Sequence, residues 1–125
     1  MHDSLVTTVD GLNHAVEEGR RGGVIGLDTE FVWERTYYPR LGLIQLSTAA
    51  GRCYLIDTVE LTELSPLGAL LSDPDIVKVL HDAPQDLTIL KRATGGVPVN
   101  VFDTRVAAGF CGYRASLSLQ DLLRE

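Results

Sequence analysis

The chain has 125 residues, a formal net charge of −6 and an apolar fraction of 45%. That length and composition suit one domain with an ordinary globular core. The negative balance argues against a domain that coats nucleic acid through bulk charge, but it is compatible with an enzyme that grips a strand locally through bound cations. No run approaches the roughly 18 apolar residues of a membrane span, and no basic-then-apolar leader opens the chain. Cys53 and Cys111 form no CxxC pair. They read as small core or surface residues of a reducing compartment, with a disulfide as the minor alternative, so a cytoplasmic location and no membrane partner are expected.

Residues around Gly11 to Arg21 read as a helix that stops at Gly22-Gly23. The apolar run Val24-Ile25-Gly26-Leu27 then feeds into Asp28-Thr29-Glu30-Phe31, and Val24–Phe31 reads as a buried strand. Residues two apart share a strand face, so Asp28 and Glu30 project together from a strand that otherwise favours a dry environment. Adjacent carboxylates repel, and burying them is costly unless positive charge compensates. A divalent cation with oxygen ligands is the natural compensation. The plain alternative is a pair of surface carboxylates on an edge strand.

Leu41–Thr48 and Cys53–Thr58 read as two further strands, joined as a hairpin by Ala49-Ala50-Gly51-Arg52. Ser65-Pro66 reads as an N-cap and first-turn proline opening a helix to about Leu71. Val77–His81 is a fourth strand, and Pro84 lies near the start of a helix running to about Arg92. Asp86 falls in that helix's first turn, where an acidic residue is also a favourable helix-dipole partner. Val101-Phe102 is a short strand, and Asp103-Thr104 caps a helix from Arg105 to Phe110. Ser118-Leu119-Gln120-Asp121 matches a capping box at the start of a last helix. A meander followed by alternation predicts an α/β fold, a mixed sheet with helices on its faces.

Four strings together carry a resemblance: Leu27-Asp28-Thr29-Glu30-Phe31; Tyr37-Tyr38-Pro39-Arg40-Leu41-Gly42-Leu43-Ile44-Gln45-Leu46; His81-Asp82-Ala83-Pro84-Gln85-Asp86-Leu87; and Phe102-Asp103-Thr104-Arg105-Val106-Ala107-Ala108. In this order they resemble the ribonuclease D family of DEDD 3′–5′ exonucleases, which has a ribonuclease H-like fold. The resemblance spans nearly the whole chain. It implies that Asp28 and Glu30 match the first exonuclease motif and Asp86 the second, as catalytic metal-binding carboxylates. His81 and Gln85 match positions beside the site, with Asp103 as a supporting residue. His81 also reads as a satisfied core histidine, and Gln45 as a hydrogen-bonded amide on the neighbouring strand.

The mechanism implied by the resemblance uses two divalent ions about 4 Å apart on the scissile phosphate. Asp28 bridges both ions, Glu30 holds the nucleophile-side ion, and Asp86 completes the shell of the other. Magnesium fits, with manganese as a substitute. Phe31, Trp33, Tyr37 and Tyr38 offer stacking surfaces for an unpaired RNA 3′ end. Arg35 and Arg40 offer phosphate contacts. The alternative for Tyr37 and Tyr38 is loop packing.

The family's third motif, a Tyr-x-x-x-Asp, does not occur in these 125 residues. Residues 1–125 therefore read as the N-terminal, C-terminally truncated part of an exonuclease domain with impaired or no activity. The expected parent activity is metal-dependent hydrolysis at RNA 3′ ends, tRNA precursors included. The competing readings are a DNA-directed proofreading or repair exonuclease and a non-catalytic RNA-binding module. Leu117, Leu119, Leu122 and Leu123 crowd the last residues, three of them on one helical face, so a homodimer through that face is expected. The alternative is a last helix folded back on its own sheet.

Overall fold

The computed structural model describes residues 3–32, 40–112 and 118–124. The elements in chain order are β1 (Asp3–Val6), α1 (Val9–Gly22), β2 (Val24–Val32), β3 (Arg40–Thr48), β4 (Cys53–Asp57), α2 (Ser65–Leu71), β5 (Val77–Leu80), α3 (Ala83–Thr94), β6 (Val101–Asp103), α4 (Thr104–Phe110) and α5 (Leu119–Arg124). The strands form one six-stranded sheet in the order β1-β4-β3-β2-β5-β6. β2, β3 and β4 are an antiparallel meander. β1 on β4, β5 on β2 and β6 on β5 are parallel. The mixed α/β sheet expected from the sequence is thus observed, with β1 as an unanticipated sixth strand.

Local chemistry explains the boundaries. Thr8 is extended before α1, and its hydroxyl accepts the Gly11 N–H at 3.1 Å, satisfying one of the helix's orphan donors. Gly23 ends the helix at φ +76°, a left-handed conformation that costs glycine nothing. Ser65 does not cap α2 as expected. Leu64 occupies the cap position without a side-chain bond, and the Ser65 N–H donates instead to Glu63 Oε1 at 3.1 Å. Pro66 does lie in the first turn. The hairpin between β3 and β4 closes through Gly51 N–H to Thr48 O at 3.0 Å, with Gly51 at φ +85°.

The core lies between one face of the sheet and the helices packed on it. Leu12, Ala15 and Val16 of α1 meet Ile25 and Leu27 of β2, Ile44 and Leu46 of β3, and Leu67, Leu70 and Leu71 of α2; Leu90 of α3 joins the same cluster. Each fully buried Leu or Ile contributes about 1.5–3 kcal/mol over its exposed state. Strand alternation then decides which β2 residues are wet. Ile25, Leu27 and Thr29 are buried, whereas Val24, Asp28 and Glu30 are exposed. This corrects the expectation of a dry acidic pair. The hydrophobic run that precedes Asp28 supplies the core from alternate residues, and the carboxylates take the opposite, solvated face.

Candidate active site

Asp28 and Glu30 stand on the exposed face of β2, with β3 alongside. Gln45 of β3 lies opposite Asp28 in the register. Its Nε2 donates to Oε1 of Glu30 at 3.5 Å, a diagonal neighbour on the same face. The β2–β3 register shifts between Glu30 and Phe31: Glu30 pairs with Leu43 and Phe31 with Leu41, leaving Gly42 as the extra residue. This is a β-bulge directly beside the carboxylates, a device that re-aims side chains at strand ends.

Asp86 comes from the first turn of α3. Its Oδ1 accepts the Thr29 hydroxyl at 2.5 Å. Burial pushes the Asp86 carboxyl above the usual carboxylate range, and the charges of Asp28 and Asp82 add to that push against the bond from Thr29. Asp28 Oδ1 accepts the Thr29 N–H at 2.9 Å.

α3 is held by a residue remote in sequence. Asp82 precedes it in the left-handed region (φ 60°, ψ 61°) and makes no side-chain cap. The missing cap comes from Asp103 at the end of β6. Asp103 Oδ1 accepts the N–H of Asp82 at 2.9 Å, and Oδ2 accepts that of Ala83 at 2.8 Å. Oδ1 also accepts the Arg105 N–H at 2.9 Å, capping α4 as the sequence predicts. Arg105 Nη1 pairs with Asp82 Oδ2 at 2.6 Å.

A cavity of about 430 Å³ opens beside the pair, lined by Asp28, Gln45, Ser47, His81, Thr104 and Leu119 among others. His81 is half-buried, and its Nδ1 lies 2.8 Å from the Thr104 hydroxyl. α5 packs against α4 and brings Leu119 to the rim of this cavity. Gln85 is exposed on the first turn of α3, Phe31 is half-buried at the bulge, and Arg40 is exposed at the start of β3. Trp33, Arg35, Tyr37 and Tyr38, expected to grip substrate, lie outside the described residues, as does Leu117.

The donor chemistry fits a hard divalent cation: three carboxylates, two of them exposed, in a locally negative setting. The observed side-chain positions do not gather them fully. Among the described residues, no group of three or more His, Cys, Asp or Glu side chains is close enough to hold one ion. Two contributors escaped sequence reasoning. Thr29 points inward between two outward carboxylates, and alternation alone signals a buried hydroxyl in need of a partner. Thr104 was read only as part of a cap, yet it is the partner of His81.

The family model described as 3′–5′ exonuclease matches residues 4–125. The chain belongs to the 3′–5′ exonuclease family. Among curated relatives it is 50% identical to the ribonuclease D of Desulfotalea psychrophila over 123 residues, covering 98% of this chain and 33% of that protein. Among solved structures it is similar to Escherichia coli RNase D, an exoribonuclease involved in structured RNA processing, with TM-score 0.88 and 42% identity over 98% of this chain and 32% of that one. It is also similar to Trypanosoma brucei RNase D in complex with RNA U12, with TM-score 0.73 and 29% identity over 83% of this chain and 38% of that one. The chain thus spans about a third of the length of the curated relatives it matches. The kinship with ribonuclease D inferred from the four motifs, and the ribonuclease H-like α/β sheet that it implied, are borne out.

Proposed function

We propose that this chain forms part of the catalytic surface of a ribonuclease D-type 3′–5′ exoribonuclease, which hydrolyses phosphodiesters at single-stranded RNA 3′ ends, tRNA precursors among them. The observation that carries this reading is the link between two motifs of the family through Thr29, whose N–H donates to Asp28 Oδ1 and whose hydroxyl donates to Asp86 Oδ1. Asp28, Glu30 and Asp86 are the residues that would hold divalent ions, magnesium by preference and manganese as substitute. Ions bound there would supply water activation and charge neutralisation at the departing 3′ oxygen. The remaining work belongs to the chain itself. Gln45 orients Glu30 through its amide. His81, fixed by Thr104, borders the cavity beside Asp28. Arg40 supplies a cation for backbone phosphate, and Phe31, Trp33, Tyr37 and Tyr38 supply stacking surfaces. The similarity to an RNase D solved with RNA supports an RNA strand as the partner. The unpaired Cys53 and Cys111 suit a reducing compartment and hence a cytoplasmic location.

By the family's pattern these 125 residues carry three of the four ligand carboxylates and no Tyr-x-x-x-Asp. Turnover by this chain alone is expected to be weak, since general acid–base help alone contributes about 10²–10⁴-fold. The deciding experiment is manganese titration followed by paramagnetic broadening of amide signals. Broadening centred on Asp28, Glu30 and Asp86, and its loss in Asp28→Asn, is the expected result. Equal binding by Asp28→Asn and the parent chain overturns the reading.

A further inference from the structure

Thr29 occupies the middle of the Asp28-Thr29-Glu30 string, but its side chain takes the opposite face of β2. It is 8% exposed. Its hydroxyl donates to Asp86 Oδ1 at 2.5 Å. Its backbone N–H donates to Asp28 Oδ1 at 2.9 Å. One residue therefore touches a carboxylate of the first motif through its backbone and a carboxylate of the second through its side chain.

We propose that Thr29 is a positioning residue: its hydroxyl fixes the orientation of the Asp86 carboxylate relative to Asp28, so that one ligand of the ion site is preset. This inference rests on the reading of Asp28, Glu30 and Asp86 as ion ligands. The chemistry calls for a hydroxyl donor, and the β-branch of threonine adds to its rigidity. A β-branched side chain on a strand has restricted χ1, so its hydroxyl is held in direction as well as place. A hydroxyl bonded to an ionised carboxylate makes one of the stronger hydrogen bonds available to a neutral donor. Pinning one oxygen of Asp86 in this way limits rotation about both of its side-chain torsions. Asp28 and Glu30 stand exposed on the other face, where Asp28 accepts the Thr29 N–H and Glu30 the Gln45 amide.

The test compares the parent chain with Thr29→Val, which keeps the shape and removes the donor, and Thr29→Ser, which keeps the donor. The first readout needs no ion. Three-bond couplings across the Asp86 Cα–Cβ bond should report a single χ1 rotamer in the parent and in Thr29→Ser, and rotamer averaging in Thr29→Val. The second is manganese affinity by calorimetry. Thr29→Val should bind about 10- to 100-fold more weakly, the range seen when a group supporting a metal ligand is lost, and Thr29→Ser should restore binding. Amide shift dispersion establishes that each variant is folded. A single, unchanged Asp86 rotamer in Thr29→Val, or unchanged manganese affinity, overturns the proposal. If the parent chain and Asp28→Asn bind manganese equally, the ion-ligand reading fails, and the couplings still decide whether Thr29 fixes Asp86.

Discussion

The Asp103 carboxylate accepts the backbone N–H of Ala83 at 2.8 Å, joining the end of β6 to the start of α3 across twenty residues of sequence. The same carboxylate accepts N–H groups from Asp82 and Arg105, so one side chain caps two helices. It also stabilises Asp82 in a left-handed conformation that non-glycine residues adopt at a cost of about 1 kcal/mol or more. Because α3 carries Asp86, this clamp sets where the second-motif carboxylate stands.

Replacing Asp103 by alanine removes a cap from each helix. A helix cap contributes typically about 1 kcal/mol, so Asp103→Ala should lower unfolding free energy by about 2 kcal/mol in urea titrations. The loss should carry a pH signature. Burial pushes the Asp103 carboxyl up, but N–H groups of Ala83, Asp82, Arg105 and Val106 together hold it below the usual carboxylate range. A folded-state pKa below the unfolded value near 3.9 gives stability that is complete above that value and is lost as pH falls through the folded pKa. The gap between the parent and Asp103→Asn should therefore narrow below about pH 4. A gap that is constant from neutral pH into that range rejects the clamp.

Asp86 should behave in the opposite sense. Its carboxyl is pushed up, first by burial and then by Asp28 and Asp82. A raised folded-state pKa means that the native chain binds more protons than the unfolded one, so stability falls as pH rises through the interval between the two values. Asp86→Asn keeps an oxygen to accept from Thr29 and removes the charge. It should raise the melting temperature at neutral pH, and the gain should shrink on acidification below the carboxylate range. Functional sites are often held at such a cost to stability. A variant less stable than the parent at pH 7 contradicts this.

Much of the fold was legible because hydrophobic runs and punctuation coincide. Gly22-Gly23, Gly51 and Asp103-Thr104 stand at the boundaries expected of them. β1 was missed because four residues, Asp3–Val6, carry no periodic signal and gain their strand identity only by parallel pairing with β4. The same limit applies to the site. Asp28, Glu30 and Asp86 are visible as a motif, but Asp28 and Glu30 are exposed rather than buried, since an apolar approach to Asp28 says nothing about which face its own side chain takes. The tertiary bonds from Thr29 to Asp86 and from Asp103 to Ala83 link distant segments, and local pattern carries no information about them.

Lys78 on β5 is fully buried, and its Nζ donates to the Asp73 carbonyl. Arg20 Nη1 pairs with Asp73 Oδ2 at 2.5 Å beside it. Burial pushes the Lys78 ammonium down from its ordinary value, with Asp73 opposing. Its four-carbon stem therefore fills core while its head satisfies one carbonyl. Lys78→Met preserves most of the stem, and a volume-conserving apolar replacement of a buried charge is often tolerated. Lys78→Ala leaves a cavity and should cost about 2–5 kcal/mol. Chemical denaturation of both variants checks the order. Equal losses in Met and Ala would show that the head group, not the stem, carries the contribution.

The final prediction concerns the apolar surface at the C-terminal end of the described chain. Val106 and Phe110 stand four residues apart on α4, 55% and 90% exposed, and Leu123 on α5 is 77% exposed. Residues at that spacing share a helix face, and α5 packs against α4, so the three belong to one neighbourhood. Contiguous apolar patches of more than a few hundred Å² are uncommon on soluble monomers. Leu119 borders the cavity while remaining 45% exposed, and this does not cover Phe110. Self-association is therefore expected, with a two-fold dimer the simplest arrangement that lets the same patch cover itself. Light scattering over a range of concentrations should show a mass that rises toward twice the chain mass. Phe110→Glu should return it to the monomer value without loss of fold, because Phe110 is almost wholly exposed. A monomer mass at every concentration in the parent chain rejects the expectation.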